Sequence, residues 1–276
     1  MQLLASGHIA KMKTTLNSPV TYALPVNDGF VDMNPLLGEK ITLTYNGNIC
    51  CQHCGKKTKK SYAQGYCYHC MITLAQCDSC IMSPEKCHYA AGTCREPEWG
   101  DTHCMIDHIV YLANSSGIKV GITRHSQVPT RWIDQGAVQA IPVFRTSSRY
   151  LSGLVEVIFK QHIADKTDWR KMLRNDNGHI DLAAERERLF IETREEIALL
   201  IQQHGINSIQ HIDDADITTI TYPVIEYPVK VSSLDFDKTP TITGQLMGIK
   251  GQYLMLDCGV LNLRKYTSYH LDVCQG

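Results

Sequence analysis

Cysteines concentrated in one segment constrain this chain more than any other feature. Ten of its twelve cysteines lie between Cys50 and Cys104, and two C-x-x-C pairs there are separated by twelve residues. Each pair places two thiolates on one tight turn, and two such turns can close a tetrahedron around Zn²⁺. A closed four-thiolate site has no open position for catalysis, so the predicted zinc ion is structural. Its four predicted ligands are Cys51, Cys54, Cys67 and Cys70.

A third C-x-x-C pair follows and predicts a second zinc site. We expect the two cysteines that bracket the next long loop to complete it, which gives the ligands Cys77, Cys80, Cys94 and Cys104. Spacing leaves three alternative ligands open: Cys87, His88 and His103. Four-cysteine sites also hold iron–sulfur clusters, so an iron–sulfur or redox protein remains an alternative.

Composition limits the functional classes. The chain has 276 residues, enough for two or three domains, and a net charge of −1. That charge excludes a global basic field, so any nucleic-acid surface must be a local patch. We find no signal-peptide pattern and no apolar run of about 20 residues. The sequence thus predicts a cytoplasmic protein without a membrane segment, in which clustered cysteines favour metal over the alternative of disulfides.

One local basic patch accompanies the first metal site. Four lysines and three tyrosines lie within thirteen residues: Lys56, Lys57, Lys59, Lys60, Tyr62, Tyr66 and Tyr68. Lysines contact phosphates and tyrosines stack on bases, which would suit nucleic acid. The alternative is a solvated loop beside core tyrosines.

Periodicity divides the chain into five parts and predicts an α+β fold. The parts are an N-terminal β segment (1–48), the zinc module (49–104), an α/β unit (105–173), a connector with a long helix (174–213), and a C-terminal β segment (214–276). Residues 41–48 predict a strand ending in an Asn-Gly turn, and 181–205 predict one helix with an apolar stripe. The two β segments, each with few strands, are expected to combine into a small barrel.

The α/β unit has a definite predicted order. Residues 108–113 and 118–123 form a hairpin, 128–137 a helix, 141–145 a strand, and 151–164 an amphipathic helix. In sequence and order, residues 109 to about 165 resemble the GIY-YIG nuclease superfamily. The first triplet of that family appears as I-V-Y at 109–111 and the second as K-V-G at 119–121. The resemblance implies a GIY-YIG-like core.

The resemblance also implies a catalytic set. It comprises Tyr111, Lys119, Arg131 and Glu156. Phosphodiester cleavage needs a group near the attacking water, a cation on the phosphate and a divalent metal ion, and Tyr111, Arg131 and Glu156 would supply them, with Mg²⁺ or Mn²⁺ at Glu156. Lys119 replaces the second tyrosine of the family. Gln135 or a neighbour occupies the position that often holds His or Tyr.

Four segments make nearly the whole chain similar to a bacterial family without an assigned function: 87–104, 118–137, 164–173 and 248–254. Two hypotheses follow from the sequence. One is a metal-dependent nuclease acting on DNA or RNA with structural zinc sites. The other is a zinc-containing nucleic-acid-binding protein that retains the fold but has lost cleavage.

Overall fold

A computed structural model describes residues 1–163 and 168–276, which form a mixed α+β fold with three sheets. The strands are β1 (Gln2–His8), β2 (Lys13–Thr15), β3 (Thr21–Val26), β4 (Gly29–Asp32), β5 (Lys40–Ile49), β6 (His108–Asn114), β7 (Ile118–Arg124), β8 (Gln139–Thr146), β9 (Ile209–His211), β10 (Thr218–Thr219), β11 (Thr241–Lys250), β12 (Tyr253–Leu256), β13 (Gly259–Asn262) and β14 (Tyr269–Gln275). The helices are α1 (Tyr68–Thr73), α2 (Pro97–His103), α3 (Thr130–Asp134), α4 (Arg149–Lys160), α5 (Trp169–Leu173), α6 (Leu182–Glu192) and α7 (Arg194–His204).

The largest sheet joins the two ends of the chain. Its six antiparallel strands lie in the order β1, β14, β5, β11, β12, β13. Among the described residues this sheet is open, with β1 and β13 at its edges, so the barrel expected from the sequence is not formed. Strands β2, β3 and β4 form a separate small sheet, whose apolar residues share the core of the large one.

The predicted Asn46-Gly47 turn is wrong. Strand β5 runs through both residues, and its pairing with β14 shifts between Tyr269 and Leu271. Gly47 has φ +82°, and the Asn46 amide lies 2.6 Å from Nδ1 of His270 on β14. The left-handed glycine allows an irregularity within the strand, so the dipeptide marks a bulge rather than a chain reversal.

The central sheet carries the α/β unit. Its order is β10, β8, β6, β7, with β9 also paired to β8. Strands β6 and β7 form a hairpin, followed by α3, β8 and α4. Pro129 precedes α3, and the Ser148 hydroxyl accepts a hydrogen bond from the backbone N–H of Leu151 to cap α4. Helix α4 ends at Lys160; residue 164, the predicted end, and residues 164–167 of one similarity segment lie outside the described residues.

The predicted long helix is broken in two. Helices α6 and α7 meet at Thr193, which is fully buried and has non-helical backbone angles. Its hydroxyl and its backbone N–H both donate to the Leu189 carbonyl, over 2.8 and 2.9 Å, and a side-chain bond of this kind often bends a helix. The apolar stripe still packs inward, because all of its residues join the core beneath the central sheet.

The two faces of the central sheet contact different cores. Ile109, Tyr111 and Ala113 pack toward the large sheet, together with Trp132 of α3. The alternate positions, Val110 and Leu112, pack toward α4, α6 and α7. The sheet is therefore buried on both sides, and its hairpin is held between the joined chain termini and the helices.

Candidate active site and metal centres

Tyr111 lies at the centre of the hairpin and is fully buried. It pairs in register with Gly121 on β7. A Cβ atom at Gly121 would lie 2.6 Å from Cζ and Oη of Tyr111. The glycine of the second triplet is thus the residue that leaves room for the tyrosine of the first.

A hydrogen-bonded chain links Tyr111 to α3. The Gln135 amide, oriented to satisfy both of its ends, donates to the Tyr111 hydroxyl over 2.8 Å and accepts from Nη2 of Arg131 over 3.2 Å. Burial raises the pKa of Tyr111 to about 12, although the positive charge of Arg131 and a hydrogen bond from it act in the opposite direction. The phenol is therefore protonated at neutral pH.

Glu156 extends this group from α4. Its charge acts on Tyr111, whose pKa it raises. The side chain is 14% exposed, and Oε1 lies 3.1 Å from Nζ of Lys160 one turn later. The charges of Arg131 and Glu156 therefore both act on Tyr111.

Lys119 belongs to the same face of the hairpin. It is half-buried on β7 and pairs with Ala113, two positions from the Tyr111–Gly121 pair. Since side chains two residues apart in a strand share a face, its backbone position is on the side of Tyr111. Lys119 and Tyr111 therefore share one face of the hairpin, whereas α4, which carries Glu156, packs on the other face of the sheet.

Arg149 and Arg264 add positive charge that the sequence did not single out. Burial lowers the pKa of Arg149, and the charge of Arg131 lowers it further. Burial also lowers the pKa of Arg264, where Arg131 again acts in the same direction while Asp134 opposes it. Arg149 and Arg264 therefore each lie within electrostatic range of Arg131, and a cluster of guanidinium groups suits a phosphate group.

His108, at the start of β6, is a buried histidine near Arg149 and Arg124. Its Nδ1 lies 2.8 Å from the Ile106 carbonyl oxygen, and its Nε2 has no partner among the described residues. Burial lowers its pKa to about 4, and the charges of Arg149 and Arg124 contribute. The neutral imidazole, with Nδ1 donating, is the form that fits this environment.

This environment predicts an acid-sensitive fold. Between pH 6.5 and about 4 the unfolded chain binds a proton at His108 that the folded chain does not, so stability falls as pH falls. We expect the free energy of unfolding of the wild type to lose about 1.4 kcal/mol per pH unit more than that of His108→Gln in this window. Urea titrations of both proteins from pH 7 to 4.5 measure it. Parallel pH profiles would contradict the prediction.

The first predicted zinc site has its ligands together. The Sγ atoms of all four cysteines lie within 4.8 Å of one another, with Cys54 and Cys67 3.8 Å apart. One pair follows β5, and the other lies at the start and in the first turn of α1. Cys51 and Cys70 are buried beneath Leu74. The group could hold a metal ion, consistent with zinc.

Electrostatics at this group suit an anionic ligand set. Burial alone would raise the pKa of Cys51, but backbone N–H groups of Cys54, Cys67 and His53 lower it to about 6. Burial and hydrogen bonds with the neighbouring thiols raise the pKa of Cys70. Cys51 is thus the more readily ionised of these two thiols, and a bound cation would be needed to hold Cys70 as a thiolate.

The module is attached to the large sheet close to α3. The backbone N–H of Cys50 donates to the Ser268 carbonyl over 3.2 Å, and the Ser268 hydroxyl donates to the Gly65 carbonyl over 2.8 Å. Nε of Arg264 donates to the Gln64 side chain over 2.7 Å. The segment that carries the four cysteines therefore contacts Arg264, which lies near Arg131.

The residues predicted for the second site separate in space. Cys77 packs with Cys51, Cys70 and the rest of the first group. Cys80, Cys94 and Cys104 line a different pocket. Asp78, Cys80 and His88 form a group whose ligand atoms lie within 4.8 Å of one another, so this region could also hold a metal ion. His103 stacks on Trp99, 4.2 Å between ring centroids.

The basic patch has an exposed and a structural part. All four lysines are exposed, as is Tyr68. Tyr66 instead packs on the first cysteine group, and Tyr62 contacts the Tyr68 ring edge-on. Of the three tyrosines, Tyr68 is therefore the one with a ring open to a partner.

Comparisons with known proteins give a family but no activity. No curated protein and no solved structure matches the chain. None of the described helices combines the length and the hydrophobicity that crossing a bilayer requires. The family model described as "Protein of unknown function (DUF2797)" matches residues 38–271, most of the sequence, and the chain belongs to that family.

Proposed function

We propose that this protein is a metal-dependent nuclease of the GIY-YIG type. The observation that carries the proposal is the hydrogen-bonded group of Tyr111, Gln135 and Arg131, on which the charge of Glu156 acts from α4. A phosphodiester could there meet a cation, a neutral hydroxyl and a carboxylate, which are the groups that its hydrolysis needs. The order of hairpin, helix, strand and helix is also the one that the resemblance implies.

Each residue has a chemical role in this proposal. Arg131 neutralises a phosphate oxygen, assisted by Arg149 and Arg264. Glu156 would hold Mg²⁺ or Mn²⁺, which stabilises charge on the phosphate oxygens. Because its pKa is about 12, Tyr111 orients the attacking water through a hydrogen bond and does not remove its proton.

A divalent ion at Glu156 would depend on the substrate. Among the described residues, Glu156 belongs to neither group of three or more candidate metal ligands. Mg²⁺ commonly binds through one or two carboxylates, several waters and substrate phosphates. The ion would therefore arrive with, or be completed by, the nucleic acid.

A second candidate function is nucleic-acid binding without cleavage. The complete burial of Tyr111 favours it, because a phenol enclosed by Gln135 and Gly121 meets water only if the site opens. Lys119 in place of the second tyrosine favours it as well. In this case the arginines and the exposed lysines would contact phosphates, and binding would weaken steeply with salt.

A cleavage assay separates the two. Single-stranded, duplex and branched DNA and RNA, end-labelled, are incubated with Mg²⁺ or Mn²⁺. For a nuclease, Glu156→Ala and Arg131→Ala should each slow cleavage by about 100- to 1,000-fold. Glu156→Ala should still bind in fluorescence anisotropy. Glu195→Ala and Arg194→Ala, which alter the same residue types at exposed positions on α7, should cleave at the wild-type rate.

Three outcomes change the conclusion. Undiminished cleavage by Glu156→Ala removes Glu156 from the site. Salt-dependent binding by the wild type without cleavage of any substrate establishes the second candidate. Neither cleavage nor retention at low salt overturns both.

A further inference from the structure

The second metal region contains four cysteines around one small pocket. Three belong to the predicted set and the fourth does not: Cys80, Cys87, Cys94 and Cys104. The pocket has a volume of about 20 Å³, room for roughly one water-sized sphere. Four thiolates around one small space form a donor set that zinc prefers. We propose that these four thiolates bind a second zinc ion, with Cys87 taking the place expected for Cys77.

The four thiols reach the pocket from separate turns. Cys80 lies in a 3-10 turn, Cys87 ends the following one, and Cys104 ends α2. Gly100 of α2 also lines the pocket, and a Cβ there would lie 3.0 Å from the Tyr89 ring and 3.6 Å from Sγ of Cys94. The missing side chain lets α2 approach Tyr89 and Cys94 closely. Among the described residues the four Sγ atoms do not all lie within 4.8 Å of one another, so an ion bound by all four would draw their turns together.

Asp78 and His88 already have partners in this region. One carboxylate oxygen of Asp78 lies 2.7 Å from Nε of Arg95, and the other accepts from the Ser79 hydroxyl and the Cys80 backbone N–H. Nδ1 of His88 lies 2.8 Å from the Thr93 hydroxyl, and Nε2 lies 3.5 Å from Asp78. These bonds fix the turns that carry Cys80 and Cys87, as outer residues do around a metal site.

Cys77 is directed to the other metal group. It packs against the core that Cys51 and Cys70 form, and it does not line the second pocket. The third C-x-x-C pair is therefore split, with Cys80 alone serving the second ion. Successive cysteines of the proposed set are seven, seven and ten positions apart, and a C-x-x-C pattern does not predict these intervals.

This second centre lies directly against the helix that carries Glu156. The backbone N–H of Arg149 donates to the Cys104 carbonyl over 2.7 Å, and Nη2 of Arg149 donates to the Ile81 carbonyl over 2.6 Å. A Cβ on Gly153 would lie 2.6 Å from Pro84 and 2.7 Å from the Glu85 backbone nitrogen. A metal ion that fixes these turns would also fix the N-terminal half of α4.

Metal content of purified variants tests the assignment. We expect two zinc ions per chain in the wild type and in Cys77→Ser, and one in Cys87→Ser. Amide exchange at Arg149 should accelerate in Cys87→Ser, because its acceptor lies on the released turns. Loss of one ion by Cys77→Ser with two retained by Cys87→Ser would overturn the assignment, as would one ion per wild-type chain or bound iron.

X-ray absorption at the zinc edge gives a test that does not depend on the variants folding. If both sites have four thiolates, each zinc ion should have only sulfur neighbours, at a Zn–S distance of about 2.3 Å. A second ion held by Asp78, Cys80 and His88 would add nitrogen and oxygen at about 2.0–2.2 Å. Such a mixed shell would refute the four-cysteine site.

Discussion

Replacing Cys70 with serine is expected to remove one metal ion from the chain and to unfold the turns around it. The first group buries little besides Cys51, Cys70 and Leu74, so apolar packing alone cannot stabilise it. Structural zinc contributes on the order of 10–16 kcal/mol of binding free energy in small modules, which here would be the main source of local stability. Cys258→Ser, which alters an exposed cysteine outside both groups, should keep its metal and its stability.

Metal analysis and hydrogen exchange together measure this effect. We expect fast exchange throughout residues 50–76 of Cys70→Ser, while the β12–β13 hairpin stays protected as in the wild type. A chelator applied to the wild type should reproduce the pattern. Full metal content in Cys70→Ser, or unchanged protection after chelation, would contradict a structural metal site.

Unfolding of this module should also disturb the candidate active site. Its attachment includes the Ser61 hydroxyl, which donates to the Thr267 carbonyl over 3.0 Å, and the Gln64 contact with Arg264. Arg264 in turn lies near Arg131. One metal module thus supports an arginine, and the proposed second one supports α4, so the cysteine-rich segment positions the candidate site from two directions.

Short-range patterns predicted the first metal group well. Each C-x-x-C pair places two thiolates on one tight turn, so the spacing of the two pairs was enough to predict the four ligands. The proposed second group would depend on the paths of the turns that carry its cysteines, which spacing does not encode. Cys77 and Cys80 are only three residues apart, yet packing of Cys77 against Cys51 directs them to different groups.

The local elements of the fold were predictable from the sequence, whereas the long-range arrangement of the strands was not. The hairpin, α3, β8 and α4 follow from local periodicity and capping residues. The pairing of β1 with β14 joins residues more than 260 positions apart, and nothing local indicates whether such strands form an open sheet or a barrel. Hydrophobic periodicity also did not predict the helix break at Thr193, because the apolar stripe continues across it.

Helical spacing relates two further residues of the candidate site to the predicted set: Gln135, which the sequence analysis already named, and Arg149, which it did not. Gln135 follows Arg131 by four positions, and Arg149 precedes Glu156 by seven, so each lies on the same side of its helix as a named residue. Helical spacing from a candidate residue therefore indicates its neighbours. The hydrogen bond between Gln135 and Tyr111 required the packing of α3 on the hairpin, which no spacing shows.

Gly121→Ala is expected to have a large effect for a single methyl group. The added Cβ would lie 2.6 Å from the Tyr111 ring, which is fully buried and contacts Trp132 edge-on at 5.8 Å. Overpacking of this kind costs about 1–3 kcal/mol. Gly29→Ala is the matched control, because Gly29 also lies in a strand and its Cβ would meet no atom closer than 3.8 Å.

A double-mutant cycle identifies the cause of the loss. If Tyr111 is the obstruction, Gly121→Ala should cost far less in a Tyr111→Leu background, where the ring is gone. Urea unfolding of the four proteins gives the coupling free energy. Equal costs in both backgrounds would show that Gly121 is required for another reason, and that the two triplets are not coupled through this contact. A coupling of at least about 1 kcal/mol would instead explain why a glycine stands opposite the tyrosine.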